Sequence, residues 1–79
     1  MITSKPILTQ VQLERGLPLL KDPRDAKVLM LHYGLVGEAQ HTLQEIGDIL
    51  KISRERVRQL ENRAMRKLRH PKNLKLIKE

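Results

Sequence analysis

An all-α fold built around a helix-turn-helix is what this sequence predicts, and three observations predict it. Between Thr42 and Pro71 two apolar stripes of helical spacing follow each other with only a few residues between them. The second stripe is backed by a dense row of arginines. No segment anywhere alternates apolar and polar residues as a half-buried strand does.

Residues 1–6 are short, polar and proline-ended, so they are expected to be disordered or to be a remnant of a longer, unrelated stretch, with one small domain running over residues 7–79. Thr9 stands where it can cap a first helix, QVQLERGLPLL, with Leu8, Val11 and Leu20 as candidate core residues. Gly16 and Pro18 weaken that helix or end it. Asp22-Pro23 is a clearer start, an N-cap followed by proline at the first helical position. The helix PRDAKVLMLHYGL sets Ala26, Leu29 and Tyr33 along one face, widened by Val28 and Leu31. Gly34 falls where a left-handed C-cap belongs. After a loop over 36–41, Thr42 opens the next helix, because Thr-x-x-Glu to Glu45 is a capping box. Leu43, Ile46, Gly47 and Leu50 then recur at i, i+3, i+4 and i+7, one face of a helix. Lys51 and Ile52 leave room for a tight turn only, and Ser53 is the natural N-cap of the arginine-rich helix. Val57, Leu60, Ala64 and Leu68 repeat the spacing, Pro71 is the stop, and NLKLIKE has room for a last helical turn.

Charge is segregated along the chain. Residues 51–79 hold 11 Lys and Arg against 3 acids, whereas residues 1–50 hold 5 against 6. A cationic block confined to one helix and its tail is the electrostatic footprint of a phosphate backbone. An anionic membrane is the competing partner, but the chain has a single aromatic residue and none of the Trp or Phe that anchors an interfacial helix. At 79 residues the core is near the lower limit for independent folding, which leaves little room for a substrate pocket. With no cysteine, disulfides and thiolate zinc sites are excluded. MITSKPIL lacks the apolar region of a signal peptide, and no run approaches the ~18 apolar residues of a membrane span. The expected protein is soluble and intracellular.

The polar face of the second helix carries the chemistry. Arg54, Glu55, Arg58, Gln59, Asn62, Arg63 and Arg66 project away from the apolar stripe, and the first turns of such a helix are the part that enters the major groove. Arg can bridge the O6 and N7 of guanine, Gln the N6 and N7 of adenine, and Glu can accept from the amine of cytosine. The other polar residues have plainer readings. His32, His41 and His70 lie on separate elements without i, i+4 spacing, so neither a metal site nor a cofactor is expected. Glu45 completes the capping box. Glu61 either holds Arg58 or another neighbour in place or makes an exposed ion pair. Tyr33 is read as a lid on the core, and the N-cap role of Ser53 accounts for its hydroxyl, so no catalysis is expected.

The run TLQEIG, then SRERVRQLENRAMRKLRHP, with DPRDAKVLMLHYGL upstream, resembles the C-terminal domain, region 4, of the bacterial sigma-70 family of RNA polymerase sigma factors, in its primary, housekeeping class. The likeness covers about Leu17 to Leu76. It implies a winged-helix-like region 4 architecture without strands, with region 4.1 helices over 7–41, the region 4.2 helix-turn-helix over 42–70 and a basic tail over 71–79. It also implies recognition of the −35 promoter element in double-stranded DNA within the polymerase holoenzyme, in the bacterial cytoplasm at the nucleoid. By this resemblance the base-reading positions are Arg54, Glu55 and Gln59. Backbone contacts map to Arg24, Thr42, Leu43 through its amide, Ser53, Arg56, Arg58 and Arg63. Departures from the family pattern fall at His32 and Met30, where arginines are usual, and at Gln44, where Glu is usual. The implied protein partner is the flap of the polymerase beta subunit, for which Leu17, Leu20, Val28, Leu29 and Leu31 are groove or core. Activators or anti-sigma proteins are further partners, facing Arg63, Arg66, Lys67 or Arg69. Two alternatives stay open: a module whose main partner is such a protein, and a stand-alone helix-turn-helix regulator, which normally brings a dimerisation element.

Overall fold

Capping side chains set the start of four of the five helices in the computed structural model, which describes residues 8–77. Thr9 accepts from the Gln12 amide at 3.2 Å and Gln12 answers with its own side chain on the Thr9 amide at 2.9 Å, opening α1 (Gln10–Gly16). Asp22 caps α2 (Pro23–Tyr33) by accepting from the Arg24 amide at 2.9 Å. The Thr42–Glu45 box opens α3 (Leu43–Leu50), with reciprocal bonds of 3.1 and 2.8 Å. Ser53 opens α4 (Arg54–Leu68) by accepting from the Arg56 amide at 3.0 Å. A last helix, α5 (Pro71–Ile77), starts at the proline that stops its predecessor, and no strand occurs among the described residues. The disorder expected for residues 1–6 concerns a segment outside those described.

The first helix stops at the break that Gly16 and Pro18 predict, and only its buried face departs from expectation. Pro18 removes an amide and clashes with the preceding turn, so α1 ends at Gly16 and the chain tightens into a 3-10 turn over Leu17–Leu19. The buried stripe is Leu13, Gly16 and Leu20, whereas Val11 is 59 % exposed. Val11 lies two residues from Leu13, more than half a turn around the helix, and cannot share its face.

Two adjoining clusters form the core, and α4 supplies both. Val57 and Leu60, from its first turns, pack with Val28, Leu31 and Ile46 between α2 and α3. Ala64, Met65 and Leu68, further along, pack with Leu13, Leu29, Leu35 and Ile77. Ile77 is fully buried, so α5 closes the domain against α1. Two glycines are required by the backbone. Gly34 takes the left-handed C-cap of α2 at φ 66, and the Leu35 amide next to it donates to the Met30 carbonyl at 2.9 Å. A Cβ on Gly47 would lie 2.7 Å from the Ile52 carbonyl oxygen, and that close approach lets α3 turn directly into α4. No described helix is long and apolar enough to cross a membrane, and no described group of His, Asp and Glu could hold a metal.

Candidate nucleic-acid interface

The apolar stripe of α4, from Val57 to Leu68, faces inward, so the side chains between its members are turned outward as a set. Arg54, Glu55, Arg58 and Gln59 are exposed and Arg56 is half-exposed. Four of them are linked in pairs about one turn apart. Arg58 donates to both oxygens of Glu55, at 3.1 Å from Nε and 2.5 Å from Nη2. That fork holds the Glu55 carboxyl below its ordinary value and raises the guanidinium in turn. Arg56 donates to the side-chain oxygen of Gln59 at 3.3 Å.

The tight turn brings the start of α3 beside the start of α4. Leu43, Arg54, Glu55 and Arg58 line one notch of about 380 Å³, which unites two sequence-predicted base readers with two sequence-predicted backbone contacts. Leu43 is the first residue of α3, so its amide is among those with no acceptor inside the helix, and it points out of the helix start. Thr42 and Ser53, also exposed, have their hydroxyls on the helix amides they cap. Arg24 stands apart in the first turn of α2, 56 % exposed and 3.8 Å from the Asp22 carboxylate.

Arg63 is engaged by α2 instead. Its Nε and Nη2 donate to Asp25, the shortest contact being 2.7 Å, and Nη2 also reaches Asp22 at 2.9 Å. Asp25 is fully buried and was not singled out from the sequence. Its signal was there: Asp25 lies three and four residues before Val28 and Leu29, on the core face of α2. A carboxylate in an apolar stripe needs a cation from the facing element. His32 extends the same face, and Glu61 of α4 meets its Nδ1. Glu61 is therefore tied to α2, and Arg58 pairs with Glu55 instead. Tyr33, half-buried against the core, has its hydroxyl pushed up to about 12 by burial and by the adjacent Glu61 carboxylate.

Of the apolar residues weighed for a docking groove, Leu20, Val28, Leu29 and Leu31 are interior, and Leu17 alone keeps part of its surface. A second depression, about 520 Å³, is lined by Leu19, Lys21, Arg66, Lys67, His70 and Asn73. It is cationic at its edges with a leucine in its wall.

Comparison with known proteins agrees with this layout. The family described as sigma-70, region 4, matches residues 22–70, which takes in α2, the tight turn and all of α4. RNA polymerase sigma factor SigA of Nostoc sp. is 47 % identical over 76 residues, 96 % of this chain and 19 % of the relative. The protein of the same name from Synechocystis sp. is 47 % identical over 76 residues, covering 96 % and 17 %. That of Lactococcus lactis is 40 % identical over 73 residues, covering 92 % and 20 %. The chain thus spans about a fifth of the length of these curated relatives. With its helix-turn-helix and its matching residues in one stretch, this chain belongs to the sigma-70 region 4 family.

Proposed function

We propose that the domain recognises the −35 promoter element of double-stranded DNA as part of an RNA polymerase holoenzyme in the bacterial cytoplasm. The observation that carries the reading is the notch where the α3 start and the first turns of α4 meet, with cations exposed around it. In this reading α4 enters the major groove. Arg54 bridges a guanine, Glu55 accepts from a cytosine amine and Gln59 pairs with an adenine. Arg24, Thr42, the Leu43 amide, Ser53, Arg56 and Arg58 hold the sugar-phosphate backbone and fix the register. Arg63 is left out of this set because its Nε and Nη2 already serve Asp22 and Asp25. Docking on the beta-subunit flap is proposed from family membership alone.

Titration of the chain with a −35 duplex and with a scrambled duplex tests the reading. Arg54→Ala is expected to cost ~1–3 kcal/mol on the cognate element and to relax discrimination at one base pair. Equal losses on both duplexes would make Arg54 a phosphate contact. A second reading, a module held by an activator or anti-sigma protein, is favoured by the depression between Lys21, Arg66, Lys67 and His70, which suits an acidic segment carrying one apolar side chain. Charge reversal at Arg66 would abolish such binding and leave base discrimination intact.

A further inference from the structure

Asp25 is the one fully buried charged side chain among the described residues, and everything polar around it comes from α4 or from its own helix start. Arg63 donates Nε to both Asp25 oxygens, at 3.3 and 3.2 Å, and Nη2 to Oδ1 at 2.7 Å. Lys67, one turn further along α4, brings Nζ to 3.5 Å from Oδ2. Through Nη2, Arg63 also holds Asp22 at 2.9 Å, while the other Asp22 oxygen caps α2 at the Arg24 amide. Two carboxylates thus face two cations, and the group bolts the middle of α4 to the first turn of α2.

We infer that Arg63 is a positioning residue: through Asp25 and Asp22 it sets the rotation and depth of α4 relative to Arg24, and it contacts no phosphate of its own. The inference rests on the reading of α4 as the duplex-reading helix. Three observations carry it. At 3.6 residues per turn, Arg63 follows Gln59 by four residues and Arg56 by seven, so it leaves α4 on nearly the same side as both, and its bonds to α2 fix the rotation of that face. Swinging Arg63 outward would strip a fully buried carboxylate of its bidentate partner, which is strongly unfavourable. The two acids already neutralise Arg63 and Lys67, so little counterion release is left for a phosphate to provoke. Arg24 gains a defined place by the same bolt, since the residue that caps its helix is the residue Arg63 grips.

The test compares the 79-residue chain with Arg63→Gln, Arg63→Lys, Asp25→Asn and Arg58→Ala, each titrated with −35 and scrambled duplexes over a salt series. Arg58→Ala, removing an exposed cation, should flatten the log–log salt slope by about one unit. Arg63→Gln should leave the slope at the wild-type value and lower the cognate-to-scrambled affinity ratio by about tenfold, as a misplaced reading helix would. Asp25→Asn should lower the ratio by a similar factor without weakening scrambled binding, because it removes no cation. Arg63→Lys keeps the charge but loses the fork, and it too should lower the ratio at constant slope, which covers the case where Asp25→Asn does not fold. A slope reduced by about one unit in Arg63→Gln would make it a phosphate contact and overturn the inference alone. So would a wild-type ratio in both Asp25→Asn and Arg63→Lys. Equal wild-type affinity for the two duplexes would overturn the promoter reading and this inference with it.

Discussion

Val36 is a β-branched residue in left-handed backbone, at φ 53, with its side chain 59 % exposed. The Cβ of such a residue crowds the following carbonyl, and little packing is returned for it. The loop holds the conformation because the Val36 amide donates to Glu14 on α1 at 2.9 Å. Val36→Asn keeps the amide and suits the backbone, so it is expected to stabilise the fold by about 1 kcal/mol, a rise in Tm of ~4–8 °C by thermal melting. Tyr33 makes a second residue-scale prediction. It is the chain's only tyrosine and there is no tryptophan, so phenolate absorbance reports this one side chain. Its folded value of about 12 lies above the ordinary 10.0, so the unfolded chain loses the proton first. The contribution is therefore whole below about pH 10 and is lost as pH rises through about 12. Spectrophotometric titration of the folded chain should give a midpoint near 12, and Tyr33→Phe should remove the part of the alkaline destabilisation that falls in that window.

The helix-turn-helix stands or falls on the junction between α3 and α4. Lys51 takes the left-handed C-cap at φ 61 and the Ile52 amide turns back to the Gly47 carbonyl at 2.9 Å. A methyl group on Gly47 would meet the Ile52 carbonyl, which is backbone and cannot swing aside. Gly47→Ala is accordingly expected to destabilise by at least ~1–3 kcal/mol and to disturb the α3–α4 angle. Denaturant melts measure the first effect. Loss of duplex discrimination at temperatures where the variant is folded measures the second. This element was legible in the sequence because its instructions are local: the caps at Thr42 and Ser53 and the two apolar stripes each lie within one helix. Asp22 and Gly34, bounding α2, were legible for the same reason. The stripe of α1 was not, because Val11 and Leu13 are equally apolar and only the arrival of Leu68 and Ile77 from the far end of the chain decides which is buried. The pairings of Asp25 and Glu61 were illegible in the same sense, although the place of Asp25 in the stripe of Val28 and Leu29 marked it as inward-facing. The partner of each lies 38 or 29 positions away in the chain. Among candidate site residues, exposure of Arg54, Glu55 and Gln59 followed from α4's own periodicity, while the pairing of Arg63 with Asp22 and Asp25 depended on α2.

At the scale of the whole molecule the two halves of the chain have different work. Residues 1–50 supply most of the acids, and two of them meet the cationic α4 from the inside: Asp22 and Asp25 hold Arg63, and Asp25 also faces Lys67. The cations left exposed at the start of α4 are those not matched in this way by α2. The family match ends at residue 70, yet the fold does not. Ile77 is fully buried and enters the cluster of Leu13 and Leu68, and the methyl groups of Leu68 and Ile77 close directly on Gly16. The Ile77 carbonyl also accepts from Arg15 Nη1 at 3.3 Å, tying α5 to α1 by a side-chain bond as well as by packing. A domain this small has few such contacts to spare. Ile77→Ala should therefore destabilise by ~2–5 kcal/mol, a large part of the stability of a small domain. Because Leu68 lines the same cluster, the loss should propagate into the last turns of α4 while the α3–α4 junction, packed on Val28, Leu31 and Ile46, is affected least. Amide exchange measured residue by residue checks this: faster exchange confined to α1, α5 and the end of α4 is the expected pattern. Uniform acceleration, including Ile46 and Val57, would mean that the two clusters melt as one.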